Sequence, residues 1–249
     1  NGGPCSMCLA GTFKGLRGSA RCSTCHANAV SAAGSATCQC RAGFSGTDGV
    51  GCTACLPGTF KNYVGSGECE SCSNNSFSSS AAIVCRCNVG FTGTDGGECT
   101  ACLAGTYKKT VGSAACSACT VNSQSLAGSM LCHCNIGSAG VDGGPCIKCS
   151  MGTYKGTAGA GTCTQCPLFT TSVRGSNRVE DCFCLPGHTS LVPGIECSSC
   201  KAGEYQETPE STKCVKCPDG TTSEAGASAL VYCEAPSGDP YRIPCEREQ

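Results

Sequence analysis

Thirty cysteines recur along the 249 residues at spacings that three different chemistries share. The run C-x2-C-x13-C-x2-C-x12-C-x-C-x11 begins at Cys5 and returns unchanged from Cys52 and from Cys99. Two C-x2-C pairs at such a distance enclose a tetrahedral zinc ion in zinc ribbons. A single C-x2-C pair at a helix N-terminus exchanges disulfides. In an oxidising compartment the same residues pair off as structural bridges.

The remainder of each run separates these chemistries. A zinc ribbon leaves the C-x-C pair over, as two exposed, oxidisable thiolates beside a closed site. Redox exchange needs one activated pair on an α/β fold, and this chain carries ten C-x2-C pairs and no such pattern. Disulfides use every cysteine, and a bridge closing about 15 residues stabilises by roughly 3 kcal/mol in the chain-entropy account. We therefore expect bridges, no metal and no cofactor. His26, His133 and His188 fall at unmatched positions of the repeat and read as solvated surface, so no catalytic set converges and no enzyme is expected.

The elements that hold the cysteines repeat with them. Cys5, Cys52, Cys99 and Cys146 lie 47 residues apart. An aromatic stands five residues after the second cysteine of each period (Phe13, Phe60, Tyr107, Tyr154, Tyr205), and lysine follows it at Lys14, Lys61, Lys108 and Lys155. Gly18, Gly65, Gly112 and Gly159 precede the third cysteine; Gly43, Gly90, Gly137 and Gly187 follow the C-x-C. Asp48, Asp95 and Asp142 each precede glycine, a pair suited to tight turns. Short two-stranded ribbons are expected, helices of a single turn at most, and a miniature core in which the aromatic covers the bridges.

Composition agrees. Tryptophan is absent, glycine numbers 35, and branched apolar side chains are few, so no large core can form. Seventeen basic and 18 acidic residues are scattered singly, giving a net charge of −1 and no phosphate-binding patch, which argues against nucleic acid. No apolar run is long enough to span a membrane. The opening "NGGPC" matches the internal "DGGPC" ending at Cys146, so the sequence reads as starting in mid-repeat.

The stretch C-x-C-x2-G-F-x-G-x-D-G-x2-C resembles an epidermal-growth-factor-like module. The whole period is similar to the ephrin-receptor-like cysteine-rich repeat, a family abundant in surface proteins of protists, algae and animals. The resemblance implies tandem disulfide-rich EGF-like modules with short β-hairpins and almost no helix. Their bounds are 8–54, 55–101, 102–148, 149–199 (with a longer loop) and 200–249, after residues 1–7 from a preceding module. Linkers of two residues between modules predict a stiff, elongated rod.

Family pairing implies crossed bridges Cys8–Cys25 and Cys22–Cys38, then Cys40–Cys52. The equivalents are Cys55–Cys72, Cys69–Cys85 and Cys87–Cys99; Cys102–Cys119, Cys116–Cys132 and Cys134–Cys146; Cys149–Cys166, Cys163–Cys182 and Cys184–Cys197. A sequential ladder (Cys8–Cys22, Cys25–Cys38) satisfies the spacing equally. In the last module Cys233 and Cys245 read as cysteines five and six, with Val231 where the fourth should stand. Crossed pairing then gives Cys200–Cys217 and leaves Cys214 over, while Cys5 bridges to an upstream module. Calcium-binding relatives carry acidic residues before the first cysteine, whereas here "SM", "TA" and "IK" stand there, so calcium is not expected.

The near-identical modules point to an extracellular structural protein, a repeat segment of a surface filament, self-associating and bearing glycans; the family resemblance implies in particular a flagellar hair (mastigoneme-like). Asn74 in "SNNSFSSS" is its N-glycosylation acceptor. The alternative is the ectodomain of a receptor or adhesion protein binding a protein or glycan. Its surface would be the fourth-module loop with Phe169, Arg174 and Arg178.

Overall fold

The computed structural model describes residues 5–209 and 211–236. The chain divides into two compact units, Asn1–Cys119 with Ser125–Leu131, and Thr120–Gln124 with Cys132–Gln249. Both are built from one device. Disulfides close loops of 12 to 16 residues, each beside a tiny antiparallel ladder, as Cys55–Cys69 does beside Thr59↔Ser71 and Phe60↔Glu70; at Cys217–Cys233 the single bridge Thr222↔Glu234 takes its place. The described residues form thirteen such two-stranded ladders, nearly all two residues per strand. The helical content is two three-residue 3-10 turns, Val179–Asp181 and Leu230–Tyr232. Among the described residues no helix is long and apolar enough to cross a membrane.

Among the described residues fourteen bridges are made, and they are sequential. Cys8 pairs with Cys22, Cys25 with Cys38 and Cys40 with Cys52, and the next modules repeat the scheme through Cys55–Cys69, Cys72–Cys85 and Cys87–Cys99. The crossed pairing implied by the family resemblance is thereby overturned. Each hairpin brings its own two cysteines together, with Cα atoms 5.7 Å apart at Cys55 and Cys69, so neither has reach to spare for the following loop. The third module has Cys102–Cys116 and Cys134–Cys146, with Cys119 and Cys132 also bridged. The fourth has Cys149–Cys163, Cys166–Cys182 and Cys184–Cys197.

The last module needs two corrections. Cys214 is not left over but pairs with Cys200, and Cys233 pairs with Cys217 rather than standing fifth. Cys217 and Cys233 are 16 residues apart, as Cys166 and Cys182 are, against 13 for Cys72 and Cys85. The three extra residues curl into the 3-10 turn before the cysteine in both modules: Cys182 N–H donates to Val179 O and Cys233 N–H to Leu230 O, each at 2.9 Å. Cys245 lies outside the described residues. Cys5 is exposed and has no partner among the described residues.

Every loop opens on a turn whose third residue after the cysteine has positive φ. Glycine fills it in first and third loops (Gly58 +81°, Gly90 +78°), and asparagine fills it in the second loops of the first three modules (Asn28, Asn75, Asn122). These are the residue types that tolerate the left-handed region. Phe169, at +59°, holds the place in the fourth module.

Successive loops interlock through one repeated set of contacts. Where a second loop docks on a first, Gly58 N–H donates to Ser78 O and Ala81 N–H to Cys55 O, both at 2.9 Å. Ser78 Oγ donates to Thr59 O at 2.8 Å. Where the third module docks on the third loop of the second, the same three bonds return. Gly90 N–H donates to Lys108 O (2.9 Å), Gly112 N–H to Cys87 O (2.8 Å), and Lys108 Nζ to Phe91 O (2.7 Å). Lysine thus takes the role that serine takes within a module, because its longer stem also reaches the carbonyl of Gly112, four residues on.

These lysines, not the aromatics, plug the structure. Lys61, Lys108 and Lys155 are 1%, 3% and 4% exposed, and Gln206 replaces them in the fifth module at 2%. Phe60, Tyr107 and Tyr154 are only half-buried, so the expected aromatic core gives way to cysteine sulfur packed around a lysine. The reason lies in strand geometry: consecutive residues point to opposite faces, and only one of the pair faces the preceding loop. Each buried ammonium spends its protons on backbone carbonyls. Lys61 binds Phe44 O (3.1 Å) and Gly65 O, and Lys155 binds Thr157 O (2.6 Å) and Gly159 O (2.7 Å).

Candidate functional site: the fourth-module cleft

The repeated frame presents similar surfaces, so function is sought where it is broken. Asp48, Asp95 and Asp142 each face the residue between the two cysteines of the C-x-C, and that partner changes with the module. Gln39 lies 3.4 Å from Asp48, Arg86 3.9 Å from Asp95, and His133 2.7 Å from Asp142. His133 is exposed, as expected from sequence, and is in addition paired with Asp142. Burial raises the Asp142 carboxyl, but the hydrogen bond and charge of His133, with the Cys134 and Ala160 N–H groups, outweigh it and hold the pKa below its ordinary value. Those amides stand beyond strict hydrogen-bond reach, leaving Asp142 Oδ1 without a close donor. His26 is exposed, and His188 stacks on Phe169 with centroids 4.3 Å apart and planes 19° from parallel.

The fourth module departs from the frame at three places. Its second loop carries the added turn Val179–Asp181, and its third loop, Cys184–Cys197, spans 13 residues where Cys87–Cys99 spans 12. Phe169 occupies the left-handed position at a cost of about 1–2 kcal/mol. Its stack on His188 ties the start of the second loop to the third. Residues held in sparsely populated backbone regions cluster at functional sites.

The two lengthened loops meet around a cleft of about 630 Å³. Gly194 N–H donates to Cys182 O at 3.2 Å, and a side chain at Gly194 would come within 2.8 Å of the Val179 carbonyl, so the walls touch there. Val173, Phe183, Leu191, Val192 and Ile195 supply apolar lining, and Glu180 and Asp181 supply carboxylates. Arg174 and Arg178, singled out from sequence beside Phe169, are exposed and lie outside the lining.

Asp181 fixes the added turn. Its Oδ2 accepts from Asn177 N–H (2.8 Å) and Arg178 N–H (3.0 Å), which hold its pKa below the ordinary 3.8, against burial and with help from the Arg178 charge. A depressed carboxyl stabilises fully above its unfolded value and loses that contribution as pH falls through the folded one. The Asn177 and Arg178 amide resonances should therefore hold steady from neutral pH to about pH 4. Below the ordinary value they should shift together, and titration of both near pH 6 would contradict this assignment.

Residues 90–128, 137–182 and 190–233, more than half of the chain, match the family described as tyrosine-protein kinase ephrin type A/B receptor-like. The chain belongs to this ephrin-receptor-like family. Two of the matched segments end on Cys182 and Cys233, in agreement with the equivalence drawn from the bridges. Ephrin type-A receptor 1 of Mus musculus is 31% identical over 71 residues, and that of Homo sapiens 34% over 68 residues. These stretches cover 28% and 27% of this ephrin-receptor-like chain and 7% of each receptor. Fourteen disulfides on ephrin-receptor-like repeats belong to an oxidising, extracellular setting.

Proposed function

We propose that this chain is a non-catalytic structural segment of an extracellular assembly, in its specific form a surface filament or flagellar hair (mastigoneme-like) built by self-association. The observation that supports it most is the interlock: one set of three bonds joins first to second loop within each module and returns at the junctions made by Lys61 and Lys108, and two backbone bonds of that set recur at Lys155. Repeats fastened to their neighbours in this way resist hinging and suit load-bearing. Electron microscopy of native material or concentrated protein should show filaments with a regular axial repeat. Monodisperse particles at high concentration, with no filaments, would exclude the reading.

Glycans fit the same role. Asn74 is exposed at the start of a turn closed by Ser76 Oγ donating to Ser73 O (2.7 Å), and Asn75 takes the left-handed position. The protein made in a secretory host should shift in mass on treatment with peptide-N-glycosidase, and Asn74→Gln should remove that shift. An unchanged mass in the untreated parent would rule out the modification.

A second reading, the ectodomain of a receptor or adhesion protein, draws on the named receptors among its relatives. The observation favouring it is the departure of the fourth module from the frame.

A further inference from the structure

The lengthened loops of the fourth module do more than interrupt the repeat, since the residues they add are the ones that build a cavity. Glu180 and Asp181 of the added turn, continuing to Phe183, form one wall, the loop 190–195 forms the other, and Ser211 and Thr212 of the fifth module reach its margin. Neither the turn nor the loop lies in regular strand, and the bridges Cys166–Cys182 and Cys184–Cys197 anchor both. A cavity of about 630 Å³ is in the range that encloses a small ligand or a few peptide side chains, too small for the face of a helix.

Its chemistry is asymmetric. The apolar lining includes Leu191, 82% exposed, with Val192 and Ile195 also open to solvent and gathered with Phe183 around one cavity. No basic side chain lines the cleft, whereas Glu180 and Asp181 do. Arg174, Arg178 and Lys213 are exposed outside it. Apolar surface of this kind gains by being covered, and two carboxylates at its edge set the sign of what covers it. A neutral glycan would leave those carboxylates unmatched and find only Phe183 as a ring to stack on.

We propose that the fourth-module cleft binds an extended peptide segment of a partner protein in which apolar side chains alternate with Lys or Arg. The apolar side chains enter between Phe183 and the Leu191–Ile195 loop, and the cationic ones turn to Glu180 and Asp181. In an extended strand successive side chains face opposite ways, so a peptide of alternating character can offer one set to the apolar lining and the other to the carboxylates. The inference deepens the ectodomain reading and is independent of filament assembly. The test below leaves self-association untouched, so the two can fail separately.

The experiment titrates the whole chain into a fluorescein-labelled hexapeptide of alternating Arg and Leu, read by polarisation. Alternating Glu–Leu and Arg–Ser hexapeptides serve as controls. Saturable binding of the Arg–Leu peptide is expected, weakened about tenfold or more by Leu191→Asp and by Glu180→Lys, as for truncated hot spots. Both positions are exposed, and unchanged non-reducing peptide maps would show that the variants keep their bridges. The Glu–Leu peptide should bind the parent more weakly and gain on Glu180→Lys, an effect that a structural role for Glu180 would not produce. Absence of saturable binding up to millimolar protein overturns the proposal. So does equal binding of all three peptides, insensitivity to both variants, or displacement by a neutral oligosaccharide.

Discussion

Replacing Gly90 by alanine should unfasten the third module from the second, while the same change at Gly105 should leave the fold in place. Both residues occupy the third position of a loop-opening turn, at φ of +78° and +80°. Alanine in that region costs about 1–2 kcal/mol at either site. The difference lies in what faces the new methyl. At Gly105 nothing lies within 4 Å, but at Gly90 the Cβ would stand 2.0 Å from Gly128 O and 2.7 Å from its carbonyl carbon. That carbonyl is backbone, and Gly128 N–H is itself held by Cys102 O (2.8 Å), so it cannot swing aside. Adding the overpacking, Gly90→Ala should cost about 3 kcal/mol or more. It should also strip hydrogen-exchange protection from Gly112 N–H, which crosses the same junction to Cys87 O. Equal stability and equal protection in the two variants would contradict the interlock. Gly105→Asn offers a further contrast, because Asn122 fills the same turn position one loop later, and it should be nearly silent.

The second large effect is expected at Lys108. Lys108→Met keeps most of the apolar stem and removes the ammonium that binds Phe91 O and Gly112 O. Two carbonyls in a nearly closed site would then lose a charged donor, a loss of about 1.5–3 kcal/mol by the usual worth of such bonds. The guanidinium midpoint, measured with disulfides intact, should fall accordingly. Lys108→Gln should recover part of the loss. Gln206 does comparable work in the fifth module, where its Nε2 donates to Thr208 O as Lys155 Nζ donates to Thr157 O. A midpoint unchanged by Lys108→Met would mean that the buried lysine is incidental.

These two predictions mark how far the sequence could be read. The recurrence of Gly43, Gly90, Gly137 and Gly187, and of Lys61, Lys108 and Lys155, was visible as pattern. Its cause was not, because Gly90 meets Gly128 38 residues later and Lys108 meets Phe91 17 residues earlier. Small modules of short hairpins followed from the cysteine density, the turn residues and the family resemblance. Pairing did not, because crossed and sequential schemes place the same cysteines at acceptable distances, and only the hairpin registers choose between them. Cys233 was misplaced since its gap to Cys245 copies that between Cys40 and Cys52. The 16-residue separation shared by Cys166–Cys182 and Cys217–Cys233 was the signal that could have corrected it.

The candidate site was half legible. The long loop of the fourth module stood out by its length, and Phe169, Arg174 and Arg178 stood out by type. The cleft takes neither arginine, and Phe169 contributes through its stack on His188 rather than as lining. Leu191, Val192 and Ile195 were missed because a single extra residue in the third loop, not a long insertion, carries them to the cleft wall.

All of this rests on loops that each close upon themselves, and one map of the second module decides it. Cleaving the unreduced protein with trypsin and a Glu-specific protease cuts after Glu70 and after Arg86. Sequential bridging predicts free release of Ser71–Arg86 as one peptide carrying an internal Cys72–Cys85 bond. Recovery of that peptide only as an adduct joined to the fragments holding Cys55 and Cys69 would contradict the fold described here.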